Sequence, residues 1–143
     1  MSPTGYHHSC EIQIRFNDID KVGHVNNAVY HSYLELGRLH YFNDVLERTV
    51  EWDKKGFVLA RTEIDYRKPI FLRDSISCYT KLEQVGTKSF KLRSSICRRL
   101  GDQWEECANA LTTLVCMDYT SSKSIEIPPD WLRRMTQFEQ GNS

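Results

Sequence analysis

Between Arg15 and Arg38 the chain reads RFNDIDKVGHVNNAVYHSYLELGR, a turn bearing two acids that runs directly into an amphipathic helix. A strand ending at Phe16, a tight loop holding Asp18 and Asp20, and a helix opening near Asn26 would set a carboxylate beside unpaired backbone N–H groups. A carboxylate and such donors can together attack and polarise a carbonyl. The same residues have plainer uses. Asp18 and Asp20 can be turn carboxylates held by Asx hydrogen bonds and the helix dipole, and on residue type alone that is the commoner case. His24 can bridge the loop, and Asn26 can be no more than a cap.

These groups need a scaffold, and the periodicity supplies one. With Asn26 as N-cap, Val25 and Tyr30 fall at the staple positions, and Tyr30, Tyr33, Leu34, Gly37, Tyr41 and Val45 recur at three- and four-residue steps. One long helix with a broad apolar face is expected. Gly37 inside it costs about 1 kcal/mol relative to alanine, which points to a backbone or ligand passing close. Glu35 stands at helix-surface spacing from His31 and Arg38, so it reads as structural.

Strands surround the helix. Ile12, Ile14 and Phe16 alternate with polar residues ahead of the loop. Gly56 precedes FVLARTEIDY, which ends before Pro69 breaks the pairing. Ile76, Cys78, Thr80 and Leu82 share a face, Gly86-Thr87-Lys88 turns, Phe90, Leu92 and Ile96 resume, and Gly101-Asp102 turns again. The last strand, roughly 105–118, is apolar on both faces near its end. A short helix begins near Asp130-Trp131, after Pro128-Pro129. Strand, long helix, then four strands is an α+β order, solved most economically by one antiparallel sheet curled around the helix. The 143 residues make one domain with a core over about 10–118 and a helical extension over about 128–138, with the first eight or so residues and the tail after Phe138 loose.

Composition sets the context. Nineteen basic residues balance nineteen acidic ones, so no global field draws the chain to nucleic acid or an anionic membrane. The five cysteines, at 10, 78, 97, 107 and 116, lack a C-x-x-C pair and sit in strand patterns, which suits reduced thiols in the cytoplasm. There is no apolar run of signal-peptide or membrane-spanning length, no metal-binding spacing, no Gly-x-Ser-x-Gly, and Gly86-Thr-Lys-Ser is not a phosphate loop.

The string Asp18-Ile-Asp20-Lys-Val-Gly23-His24-Val-Asn26-Asn27, continuing through Tyr30, Tyr33 and Glu35 to Arg38, closely resembles the opening of hotdog-fold acyl-CoA thioesterases of the 4-hydroxybenzoyl-CoA thioesterase type. The resemblance covers about Cys10 to Asp118. It implies a hotdog fold and hydrolysis of an acyl-CoA to a free acid and coenzyme A, with no metal and no cofactor beyond the coenzyme A of the substrate. It also implies a homodimer or a homotetramer of two dimers, with sites at subunit interfaces.

Position by position, the resemblance puts the catalytic carboxylate on Asp20, as nucleophile or general base. It puts the sharp approach to the helix on Gly23 and the oxyanion donor on the backbone N–H near Asn27. His24 and Asn26 recur in many relatives and would orient the site, while Asp18 keeps a structural role. Coenzyme A brings phosphates, and Lys88, with Thr87 and Ser89 on the hairpin, occupies the region where relatives hold the nucleotide. Arg67, Lys68, Lys91, Arg93, Arg98 and Arg99 add charge nearby in sequence, although alternation alone would put Lys91, Arg93 and Arg99 on a solvated face. An acyl-carrier-protein thioesterase is a near variant of this reading, and a hotdog domain that binds acyl thioesters or a partner without turnover is the third possibility.

Overall fold

Two aromatic-rich clusters, one at each end of a long helix, organise the computed structural model, which describes residues 3–47 and 49–141. Strand β1 (His8–Ile12) leads through a 3-10 turn (Phe16–Asp18) and a loop to helix α1 (Val29–Val45). Strands β2 (Lys55–Tyr66), β3 (Ile76–Val85), β4 (Ser89–Leu100) and β5 (Gln103–Asp118) follow, then the two-residue β6 (Lys123–Ser124) and helix α2 (Pro129–Glu139). The antiparallel sheet runs in the order β1-β3-β4-β5-β2, with β6 added beside β5. This is the α+β arrangement expected of a hotdog fold, with α1 lying against the inner face of the sheet.

The α1 spacing places Tyr30, Tyr33, Leu34, Gly37, Tyr41 and Val45 inward, all buried. The first cluster joins Val25, Tyr30, Tyr33 and Leu34 to Ile12, Ile70, Ile76, Cys78 and Ile96. The second joins Tyr41, Phe42 and Val45 to Phe57, Phe90, Leu114, Trp131 and Met135. Gly37 marks the closest approach of helix to sheet: a Cβ there would stand 2.5 Å from Cys78 Sγ. What passes close is therefore a β3 side chain, not a backbone or ligand. All five thiols are free, and four are buried.

Several expectations are corrected. The first strand ends at Ile12, and Phe16 is 80% exposed. The carboxylate of Asp18 accepts from the Arg15 N–H at 2.9 Å and draws the chain into the 3-10 turn, which ends the alternation. The helix starts at Val29 rather than next to Asn26. Parts of both ends expected to be loose are tied down: His8 is buried in β1, the Tyr6 ring packs edge-on against Tyr79, and Glu139 accepts from Tyr41 OH at 2.6 Å and Leu82 N–H at 3.0 Å. Thr4, Gly5, Gln140 and Gly141 are exposed, and the part of that expectation that falls on residues 1–2 and 142–143 lies outside the described residues. No helix among the described residues is long and apolar enough to cross a membrane.

Candidate active site

The loop before α1 is a small hairpin built around its own polar groups. Ile19 and Val25 form an antiparallel bridge, Asp20 N–H donates to His24 O at 2.8 Å, and Gly23 N–H donates to Asp20 O at 3.1 Å. Gly23 closes this turn at φ +86°, a left-handed conformation that costs a residue with a Cβ. The turn brings the chain round sharply toward the helix entrance.

Beneath the hairpin lies Asp18, 1% exposed. Its carboxylate accepts from Tyr33 OH at 2.7 Å, from Arg15 N–H, and from the Arg15 guanidinium at 3.0 Å. Burial acts to raise its pKa, but the Arg15 N–H, the Tyr33 hydroxyl and the guanidinium outweigh that and hold it below the ordinary carboxylate range. Asp18 is thus a latch between loop and helix, and its own carbonyl accepts the Asn26 N–H at 2.8 Å.

Asp20 is exposed, and one of its oxygens is fixed. Oδ1 accepts from Val22 N–H at 3.0 Å and His24 N–H at 3.2 Å. Among the described residues Oδ2 has no donor, so the carboxylate is oriented while one oxygen stays open. At the helix entrance Asn26 N–H is taken by Asp18 O, and Ala28 N–H by Asn26 Oδ1 at 2.9 Å. The N–H groups of Val29, Tyr30 and His31 donate to carbonyls three residues back. The Asn27 N–H is left with no acceptor among the described residues. Asn26 therefore does cap, through an Asx hydrogen bond, but over Ala28 at the entrance.

Asn27, His24 and Tyr30 line a cleft of about 290 Å³, whose far wall is the stretch Tyr66 to Pro69. Tyr66 OH donates to Asn27 O at 3.2 Å, and its ring meets Tyr30 edge-on at 5.0 Å. Burial pushes the Tyr30 phenol up to about 12, so it stays protonated at neutral pH. In the sequence Tyr66 marks only the end of a strand, and its place as a wall is not legible there. The Pro69 break that follows it is the available signal, because it turns the chain back across the helix entrance. A separate hollow of about 620 Å³ along β1 and β3 includes none of Asp20, Gly23, His24, Asn26, Asn27, Thr87, Lys88 and Ser89.

The hairpin set is placed elsewhere. Lys88, with Thr87 and Ser89, sits where Cys116 N–H donates to Lys88 O and Ile127 N–H to Thr87 O, beside the second core cluster at the C-terminal end of α1. Within one chain it stands at the opposite end of the helix from Asp20 and Asn27. The other cations divide sharply. Arg98 is engaged with Glu105, Asp74 and Pro69 O, Arg93 with Asn109 and Glu83, and Arg67 with Glu106. Lys68, on the cleft wall, has no side-chain acceptor among the described residues. Nor does any group of three or more metal-binding side chains occur among them.

Comparison with known proteins agrees with this architecture. The family model of the thioesterase-like superfamily matches residues 14–135. The long-chain acyl-CoA thioesterase FadM of Escherichia coli K12 is 30% identical over 133 residues, covering 90% of this chain and 96% of the relative. A thioesterase from Thermus thermophilus, solved with coenzyme A and Zn, superposes with a TM-score of 0.83 at 29% identity, covering 99% of each chain. A 4-hydroxybenzoyl-CoA thioesterase variant shares the fold, with a TM-score of 0.81 at 20% identity over 90% of this chain and 97% of that one. The chain belongs to the thioesterase-like superfamily and is a thioester hydrolase of hotdog fold.

Proposed function

We propose that the protein hydrolyses an acyl-CoA thioester to a free carboxylic acid and coenzyme A, with Asp20 as nucleophile or general base and the Asn27 N–H as oxyanion donor. What supports this is a carboxylate held by two backbone N–H groups with one oxygen open, on the same loop as a free N–H at the helix entrance; Asn27 and His24 line the cleft there, while Asp20 stands on the exposed hairpin outside that lining. Asp20 would attack the thioester carbon directly, or take a proton from the water that does. The carbonyl oxygen would gain charge against Asn27 N–H, where the helix dipole adds positive potential. The C–S bond then breaks, and the thiolate leaves and is protonated; on the direct-attack route the acyl group stays on Asp20 as a mixed anhydride, which water hydrolyses to the free acid and the Asp20 carboxylate. The chemistry needs no cofactor beyond the substrate's own coenzyme A. The naming of the Escherichia coli relative supports an acyl-CoA as substrate, and the five free thiols suit a cytoplasmic setting.

The site in this reading is completed by a second copy. Strand β2 is a twelve-residue edge that among the described residues pairs only with β5, and Val58, Leu59 and Tyr66 on it are exposed. An open edge of that length favours pairing with another chain. A second copy joined there would also be the source of a Lys88 cluster near the cleft.

The test is thiol release across a panel of acyl-CoAs, with wild type and Asp20→Asn. Loss of about 10² or more in kcat is expected of the variant. Equal rates would remove Asp20 from the chemistry. No release from any acyl-CoA would shift the assignment to carrier-bound acyl groups or to binding alone.

A further inference from the structure

Residues 67–75, which leave the cleft wall and carry the chain on to β3, form no helix or strand. A segment without a ladder keeps its shape through individual bonds. Its first residues are fixed from β5, where Cys107 O accepts the Arg67 N–H at 2.8 Å and the Lys68 N–H at 3.1 Å. Its last is fixed from β4, where Arg99 N–H donates to Ser75 O at 2.9 Å. The middle is held by a side chain, that of Arg98.

Arg98 Nη1 donates to Pro69 O at 3.1 Å and faces Asp74 Oδ2 at 3.5 Å, the same oxygen that accepts the Phe71 N–H at 2.8 Å. The guanidinium is itself aimed by Glu105, whose Oε1 lies 2.8 Å from Nε and 2.5 Å from Nη2. Three acceptors on two elements are thus served by one planar fork, a task that the single ammonium of a lysine cannot perform. The Arg98 side chain is 16% exposed and that of Asp74 12%, so water screens this contact far less than it does the surface pairs.

What the clamped stretch holds in turn is the loop of the candidate site. Ile70 O, next to Pro69, accepts the Val25 N–H at 2.8 Å, and the Phe71 ring meets the His24 ring edge-on at 5.1 Å. His24 supplies one of the two N–H groups on Asp20 Oδ1, and Asn27 follows two residues after Val25. The sheet therefore reaches both groups of the site through Arg98.

We propose that Arg98 is a positioning residue, which clamps residues 69–74 so that Ile70 and Phe71 hold Val25 and His24, and with them Asp20 and the Asn27 N–H, at the separation the reaction needs. This rests on the reading of Asp20 and Asn27 given above, and adds the part of the scaffold that sets their distance. Arg98 is not in the cleft lining, so its removal displaces the site without deleting a contact to substrate.

Arg98→Met tests this, with Arg98→Lys, which keeps the charge and loses the fork, as the variant to use if the first does not fold. A misplacement of about 1 Å can cost about 10² in rate, so kcat for acyl-CoA hydrolysis should fall by at least about tenfold while KM changes by less than about twofold. Combined with Asp20→Asn, the variant should lose less than the product of the two single losses, because the two act as a unit. Amide exchange read by mass spectrometry should be at least about tenfold faster than in wild type over residues 19–31 and 66–75, with the rest of α1 and β3 to β5 as protected as before. An arginine that only stabilises the fold would speed exchange throughout and leave the kcat of folded protein intact. Wild-type kcat, unchanged exchange over 19–31, or a double variant that loses the full product beside an impaired Asp20→Asn would overturn the clamp. An Asp20→Asn protein as active as wild type takes Asp20 out of the chemistry, and the kcat and exchange of the Arg98 variant still decide the clamp. A wild type inert toward every acyl-CoA loses the proposed reaction, and exchange alone then decides whether Arg98 holds the loop.

Discussion

Removing one hydroxyl, Tyr33→Phe, tests the physics of the latch below the site. Asp18 is almost fully buried and has three donors, of unequal weight. The Arg15 side chain is 68% exposed, so its ion pair is screened by water and contributes about 0–1 kcal/mol. The Arg15 N–H is backbone and survives any substitution of its side chain. Tyr33 OH, buried at 2.7 Å from Oδ2, is a hydrogen bond to a charged group, worth about 1.5–3 kcal/mol. Tyr33→Phe should therefore cost about 2 kcal/mol, a fall of about 4–8 °C in Tm, while Arg15→Met should cost under about 1 kcal/mol. Urea titrations at fixed protomer concentration read both, because association contributes to apparent stability. The pH dependence carries a sign. The folded pKa of Asp18 lies below its unfolded value of about 3.9. The stabilisation it provides is thus complete well above that value and is lost as pH falls through the depressed folded pKa. Losing the Tyr33 hydroxyl raises the folded pKa, so the gap between wild type and variant should be widest near neutrality and should close on acidification. A Tyr33→Phe protein within about 0.5 kcal/mol of wild type at pH 7, or one whose deficit does not shrink in acid, would refute the assignment of Asp18 as a charged latch.

Two further outcomes follow from packing and charge. Gly37→Ala forces a Cβ to within 2.5 Å of Cys78 Sγ; overpacking of about 1–3 kcal/mol should exceed the gain in helix propensity of about 1 kcal/mol, and adding Cys78→Ala should cost less than the two single losses summed, as read by urea midpoints. If the free Lys68 and the hairpin Lys88 hold coenzyme A phosphates, raising salt from about 0.01 M to about 0.15 M, which shortens the Debye length from about 30 Å to about 8 Å, should raise KM for acyl-CoA and leave kcat unchanged; a flat KM would exclude both.

Much of this molecule is legible where one force dominates locally. The α1 stripe reads correctly because burial on one helix face imposes its own period; the turn at Gly23 is expected only through the resemblance, and its left-handed conformation is a finding of the structure. The failures come where distant groups decide. Phe16 continues an alternation that the Asp18 carboxylate interrupts by capturing the Arg15 N–H. Glu139 reads as tail in sequence because its donors, Tyr41 and Leu82, stand 98 and 57 residues away. Arg38 reads as a surface charge because spacing along α1 cannot reveal how deeply the β2 side of that helix is covered. Lys88 is linked to the Asp20 loop only through resemblance, and one chain places the two at opposite ends of a helix.

The last helix closes the second cluster from outside: Trp131 and Met135 fill the space beside Phe57 and Phe90, and Glu139 ties the end of α2 to both α1 and β3. During synthesis that half of the interior has no lid until the final turn of α2 clears the ribosome, well after every strand has emerged. A nascent chain halted before Pro128 would present the Phe57 and Phe90 rings, packed edge-on against each other, to its surroundings. Quality control therefore has a simple handle on this protein, because truncation and stickiness coincide.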